Sequence, residues 1–115
     1  MPRLLKQSTA TTFRAGPFLD TNGAAVASLT IAQGDIQLSK AGAAFAQTSD
    51  AAPTTTYDAD GYYQCPLTAT DTDTLGDLKV QITMAGALPY WEDFIVVTAP
   101  VYNFYYTERP MQSYL

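Results

Sequence analysis

The sequence predicts an all-β fold, an antiparallel β-sandwich of about seven strands, and three observations carry that expectation. The first is Gly76 to Gly86, where Leu78, Val80, Ile82 and Met84 alternate with Asp77, Lys79, Gln81 and Thr83 between two glycines. Successive side chains on a strand point to opposite faces, so this pattern sets four apolar groups on a core and a polar row toward solvent or a partner. The second is a series of short β-prone runs punctuated by turn residues, the spacing of a sandwich. The third is that no stretch carries the apolar period of an amphipathic helix. Four buried aliphatic side chains contribute roughly 1.5–3 kcal/mol each. That offsets the ordering of only a few neighbours, so other strands must cover the same face.

Taken in order, Thr9 to Phe13 is β-prone and leads to a break at Gly16-Pro17. Phe18-Leu19 is a short apolar pair before the turn-forming Asp20-Thr21-Asn22-Gly23, which reads as an arm followed by an edge strand. Leu29-Thr30-Ile31 is a further short strand. Ile36 and Leu38 then face inward with Gln37 and Ser39 outward, and Lys40-Ala41-Gly42-Ala43 is a hairpin turn in which Gly42 supplies positive φ. Phe45 returns on the partner strand and shares the face of Ile36 and Leu38.

Residues 48–56 form a polar loop, and Tyr57 to Gly61 supplies a tight turn into a strand where Tyr63, Cys65 and Leu67 alternate against Tyr62, Gln64 and Pro66. Pro66 has no N–H to give a ladder, so this strand ends there or lies at an edge. Thr68 to Gly76 is too polar and too short for a substantial helix and reads as a single turn closed by Gly76. After Ala87-Leu88-Pro89, Trp91 and Glu92 begin a segment in which Phe94-Ile95-Val96-Val97 is apolar on both faces, so it belongs in the middle of the structure. Pro100 limits it. The expected organisation is an extended N-terminal arm at 1–14, a sandwich at 15–101 and an aromatic C-terminal tail at 102–115.

At 115 residues the chain is one domain by size, and its 47% hydrophobic content suffices for a core. Charged residues make up only 15%, below the roughly 25% usual for soluble chains, and that bias suits a surface meant to be covered. Arg3, Lys6 and Arg14 precede the first acid, Asp20; from Ala15 onward three basic side chains face eleven acidic ones. The arm is therefore positive and fitted to an acidic neighbour, while the body repels phosphate and disfavours nucleic acid. No apolar run approaches a membrane span and no secretion signal is legible at the N-terminus.

The segment from Tyr102 to Leu115 holds five aromatics. Tyr and Phe carry large apolar area with few rotors, the profile of interface anchors, and Pro110 argues against continued strand pairing. Phe104, Tyr105, Tyr106 and Tyr114 in the tail, with Arg3, Lys6 and Arg14 in the arm, are the candidate partner interface.

Catalytic chemistry finds little footing. Cys65 is the single cysteine and the chain has no histidine to activate it, so it reads as a small buried hydrophobe. There is no Gly-x-Ser-x-Gly elbow and no set of Cys or His for zinc. Asp58, Asp60, Asp71, Asp73 and Asp77 sit near turns, but Asp58-Ala59-Asp60-Gly61 lacks the closing Glu of an EF-hand, and Asp before Gly is ordinary turn vocabulary. We therefore expect no enzyme, no metal and no cofactor. Trp91 with Tyr90, or Tyr62 with Tyr63, offers a stacking platform beside Asp groups, which leaves a host-glycan-binding module as the weakest class.

Residues Thr12 to Asp20, Leu29 to Gln33 with Asp35 to Lys40, Gly61-Tyr62-Tyr63 with Pro66 to Thr72, and Ala87-Leu88-Pro89 with Trp91 resemble small structural proteins of tailed bacteriophages and prophages. The resemblance runs over about residues 12–102. It implies an immunoglobulin-like sandwich in a virion, made in the bacterial host cytoplasm, and transfers no site residues. The expected function is that of a capsid cement or decoration subunit that binds the major capsid protein or other virion subunits, as a homo-oligomer within the particle. A tail, neck or baseplate adaptor or fibre component is the alternative.

Overall fold

In the computed structural model, which describes residues 3–106, two sheets face each other across one core in a β-sandwich-like arrangement. The strands are β1 (Arg3–Lys6), β2 (Thr11–Ala15), β3 (Ile36–Lys40), β4 (Ala46–Gln47), β5 (Thr56–Tyr57), β6 (Tyr63–Leu67), β7 (Gly76–Ile82) and β8 (Tyr90–Val97). A C-terminal helix, α1 (Ala99–Tyr106), follows. The larger sheet runs β1-β8-β7-β3-β4 and the smaller β2-β6-β5.

The alternation along β7 is realised as expected: Leu78, Val80 and Ile82 are buried, and Met84 packs against the core just past the strand. β7 sits between β8 and β3, with Leu38 opposite Val80 and Leu78 opposite Phe94. From the smaller sheet Phe13, Ala15, Tyr63, Cys65 and Leu67 point at the same core. Phe13 meets Phe94 edge-on at 5.2 Å, which locks one sheet to the other. Pro66 lies beyond the reach of β5, which pairs only with Tyr63 and Gln64 of β6. One side of β6 is unpaired there, so the missing N–H is tolerated.

Two polar groups hold the connections. The Tyr63 hydroxyl donates to the Val26 carbonyl at 2.6 Å and accepts from the Leu29 N–H at 3.2 Å. It thereby ties the 26–29 segment to the core, as a buried tyrosine requires. Asp71 is buried in the turn after β6, where it accepts from Thr48 Oγ1 at 2.6 Å, Ser49 N–H at 2.9 Å and Thr68 N–H at 3.0 Å. Burial opposes its charge, but these hydrogen bonds prevail and hold the carboxyl below its ordinary pKa. Gly16 and Gly61 permit a close approach between the end of β2 and the turn before β6. A Cβ at Gly61 would stand 2.9 Å from the Phe18 carbonyl oxygen, and its φ is +90°.

Several expectations are corrected. The N-terminal stretch does not project as an arm: residues 3–6 form β1, which pairs in parallel with β8, and residues 11–15 form β2, paired with β6. The sandwich is therefore not wholly antiparallel, and it has eight strands among the described residues. The reason is burial on both faces of β1. Leu5 enters the core while Leu4 is buried on the outer face, where α1 packs against the strand. Leu29-Thr30-Ile31 makes no ladder, although Ile31 is buried. Phe45 does not join Ile36 and Leu38 inside; it precedes the two-residue β4 and stays 45% exposed. The beginning of the expected tail is helical, with Pro100 in the first turn, where a missing N–H costs nothing.

Candidate functional site

The expected interface residues separate into two places. Arg3 and Lys6 lie on β1, an edge strand of the larger sheet, and α1 packs on the outer face of that strand. The Lys6 ammonium stands 5.3 Å from the centroid of the Tyr102 ring, a cation–π contact that ties the basic strand to the aromatic helix. Arg14 is elsewhere. It sits on β2 in the opposite sheet and forms an ion pair with Asp58 at 2.7 Å, so its charge is met within the chain. Tyr114 lies outside the described residues.

Helix α1 begins directly after β8, and its first hydrogen bond runs from Tyr102 N–H to the Thr98 carbonyl at 3.0 Å. None of its residues is buried. Tyr102 stacks with Tyr106 at 4.7 Å and Phe104 meets Tyr105 edge-on at 5.4 Å, so the rings gather with one another. Val101, Phe104, Tyr105 and Tyr106 all remain 42–52% exposed. Eight residues make a marginal helix in water, and this one combines a basic edge strand on one side with an uncovered aromatic surface on the other. These exposed rings are the largest aromatic group on one element of the described residues.

A second feature was only half legible. The polar row of β7 continues across the outer face of the larger sheet, with Lys79 opposite Ser39 on β3 and Asp93 on β8. Lys79 and Asp93 form an exposed ion pair at 3.2 Å. Together with Phe45 and Asp77 these residues line a recess of about 410 Å³. The alternation disclosed the row; the contribution of Phe45 depended on a strand register that no local pattern encodes.

The two expected ring platforms each divide. Tyr90 packs against Phe18 at 5.4 Å, and burial, reinforced by its hydrogen bond to Glu92, pushes its hydroxyl pKa up; Trp91 beside it is 60% exposed. Tyr63 is core while Tyr62 lies at the surface. The Cys65 thiol is buried and its pKa is pushed up to about 12 by that burial, so it holds no thiolate at neutral pH. Among the described residues no group of three or more His, Cys, Asp or Glu side chains is placed to hold a metal ion, and no helix is long and apolar enough to cross a membrane. No protein-family model, no curated protein and no solved structure matches this chain.

Proposed function

We propose that this chain is a structural subunit of a tailed-bacteriophage virion: a cement or decoration protein whose sandwich sits on the capsid shell. In this reading the β1–α1 surface binds the major capsid protein or neighbouring copies of the chain. The observation that carries the reading is α1, whose Phe104, Tyr105 and Tyr106 stay uncovered on a helix too short to be stable alone. The sequence resemblance over about residues 12–102 supplies the class of particle. Many copies, each with a modest contact, resist expansion of the shell through avidity.

Within this proposal the sandwich is immunoglobulin-like. Strand order supports it: reading β2 to β8 as B, C, C′, D, E, F and G places C′, C, F and G in one sheet and B, E and D in the other. β1 then adds to G. The chain has one cysteine and so lacks the inter-sheet disulfide of antibody domains; Phe13 against Phe94 fills the inter-sheet space instead.

The test is a Phe104→Ser/Tyr105→Ser/Tyr106→Ser variant supplied in place of the wild-type chain during particle assembly. Its circular dichroism is expected to match wild type while it is lost from purified particles. Incorporation at the wild-type level refutes the β1–α1 assignment.

A further inference from the structure

We infer that the recess on the outer face of the larger sheet is a binding site for a neutral glycan, a hexopyranose unit stacked on Phe45 beside Ser39, Lys79 and Asp77. The argument begins with the row of side chains across the sheet. Ser39, Lys79 and Asp93 lie in register on β3, β7 and β8, and Asp77 is two residues before Lys79 on the same face of β7. The recess they line with Phe45, about 410 Å³, falls within the roughly 300–1,000 Å³ of small-molecule sites.

The hydrogen-bonding character of the row fits vicinal hydroxyls, each of which donates and accepts. Lys79 is a donor, Asp77 and Asp93 are acceptors, and the Ser39 hydroxyl already donates to the Ala43 carbonyl at 2.7 Å, which leaves its oxygen to accept. Among the described residues the Asp77 carboxylate has no hydrogen bond or ion pair. The Lys79–Asp93 pair is exposed on both sides, weakly held, and able to exchange partners with a ligand. Two carboxylates against one ammonium make the site anionic, so it disfavours uronic and sialic acids and nucleic acid alike.

One exposed aromatic ring bounds the recess. Phe45 lines the recess at the β3–β4 side. Trp91 lies outside that lining, on the same face of β8 as Asp93 but two residues and about 7 Å along the strand, where its exposed ring serves as a nearby reporter. A flat ring with polar groups beside it suits a pyranose, whose faces are C–H and whose edge is hydroxyl. The site is distinct from the β1–α1 surface and needs no virion to be tested.

The experiment uses the full chain and saturation-transfer NMR with Trp91 fluorescence, against lactose, maltose, cellobiose and N,N′-diacetylchitobiose, with 3′-sialyllactose as the anionic probe. At least one neutral disaccharide is expected to bind with a Kd of about 1 mM and 3′-sialyllactose to bind more weakly. Phe45→Ala and Asp77→Asn are each expected to weaken binding about tenfold. Tyr62→Ala, an exposed ring just before β6 of the other sheet, should leave it unchanged. Because the side chains removed are exposed, the variants should keep the wild-type circular dichroism. Absence of binding by every neutral sugar at about 20 mM, affinity unchanged in folded Phe45→Ala and Asp77→Asn, or 3′-sialyllactose binding as well as lactose overturns the proposal.

Discussion

Replacing Asp71 with Ala should destabilise the fold by about 3 kcal/mol, a figure assembled from its partners. Thr48 is fully buried and cannot turn to water, so its hydroxyl loses a charged acceptor at a cost of roughly 1.5–3 kcal/mol. The Thr68 N–H is part-buried and adds about 1 kcal/mol. The Ser49 N–H bond is part-buried as well, but the residue reaches solvent, so water replaces much of its lost bond. Asp71→Asn removes the charge and one of the three hydrogen bonds: Thr48 and Thr68 both bond to Oδ2, so an amide oxygen placed there keeps both, while the amide NH2 in the Oδ1 position loses the Ser49 N–H, and the loss falls to about 1 kcal/mol. Urea unfolding followed by far-UV circular dichroism measures the difference, and for Ala the melting temperature should fall by about 12 °C. A loss below about 1 kcal/mol for Asp71→Ala would refute the reasoning, because the buried Thr48 hydroxyl would then have found another partner.

Four further outcomes follow from the same geometry. Asp71 has a folded pKa below its unfolded value, so its contribution is full above an unfolded pKa of about 4 and is lost as pH falls through the folded one. Asp73, held down by hydrogen bonds from Lys40 and Thr74, acts in the same direction, so Asp71→Asn should flatten the acid limb of a stability–pH curve in part; an unchanged limb contradicts the assignment. Gly61→Ala, with its Cβ 2.9 Å from the Phe18 carbonyl and φ at +90°, should cost about 1–3 kcal/mol in chemical denaturation; a neutral result would mean that the close approach relaxes freely. Phe13→Ala removes the ring that meets Phe94 between the sheets and should cost about 3–5 kcal/mol by the same assay. The buried Cys65 thiol should react with Ellman's reagent only after unfolding, and prompt labelling of the native chain would contradict its burial.

Local alternation disclosed the strands that form the middle of the sandwich. Tyr63, Cys65 and Leu67 read as one inward face, and Phe94 to Val97 read as central; Phe94 and Val96 are indeed buried between β1 and β7. The first strand was missed because its only signal is the pair Leu4-Leu5, and what makes it a strand is parallel pairing with β8 some ninety residues later. Nothing local encodes that partner. Helix α1 was missed because Val, Tyr and Phe are weak helix formers, although Pro100 just inside its start is a legible helix signal. Phe45 was assigned inward by extending the alternation of β3 through the hairpin, whereas pairing begins only at Ala46, opposite Leu38. The candidate interface was legible as residue types at both ends of the chain. That Lys6 joins the helix while Arg14 turns to Asp58 could be known only from the sheets to which they belong.

The most direct test is to quantify this polypeptide against the major capsid protein in purified particles by mass spectrometry with labelled standards. A copy number approaching that of the capsid subunits is the expected result for a chain that covers the shell through its β1–α1 surface. Particles that lack the chain, or carry only a handful of copies as a tail or neck component would, contradict it.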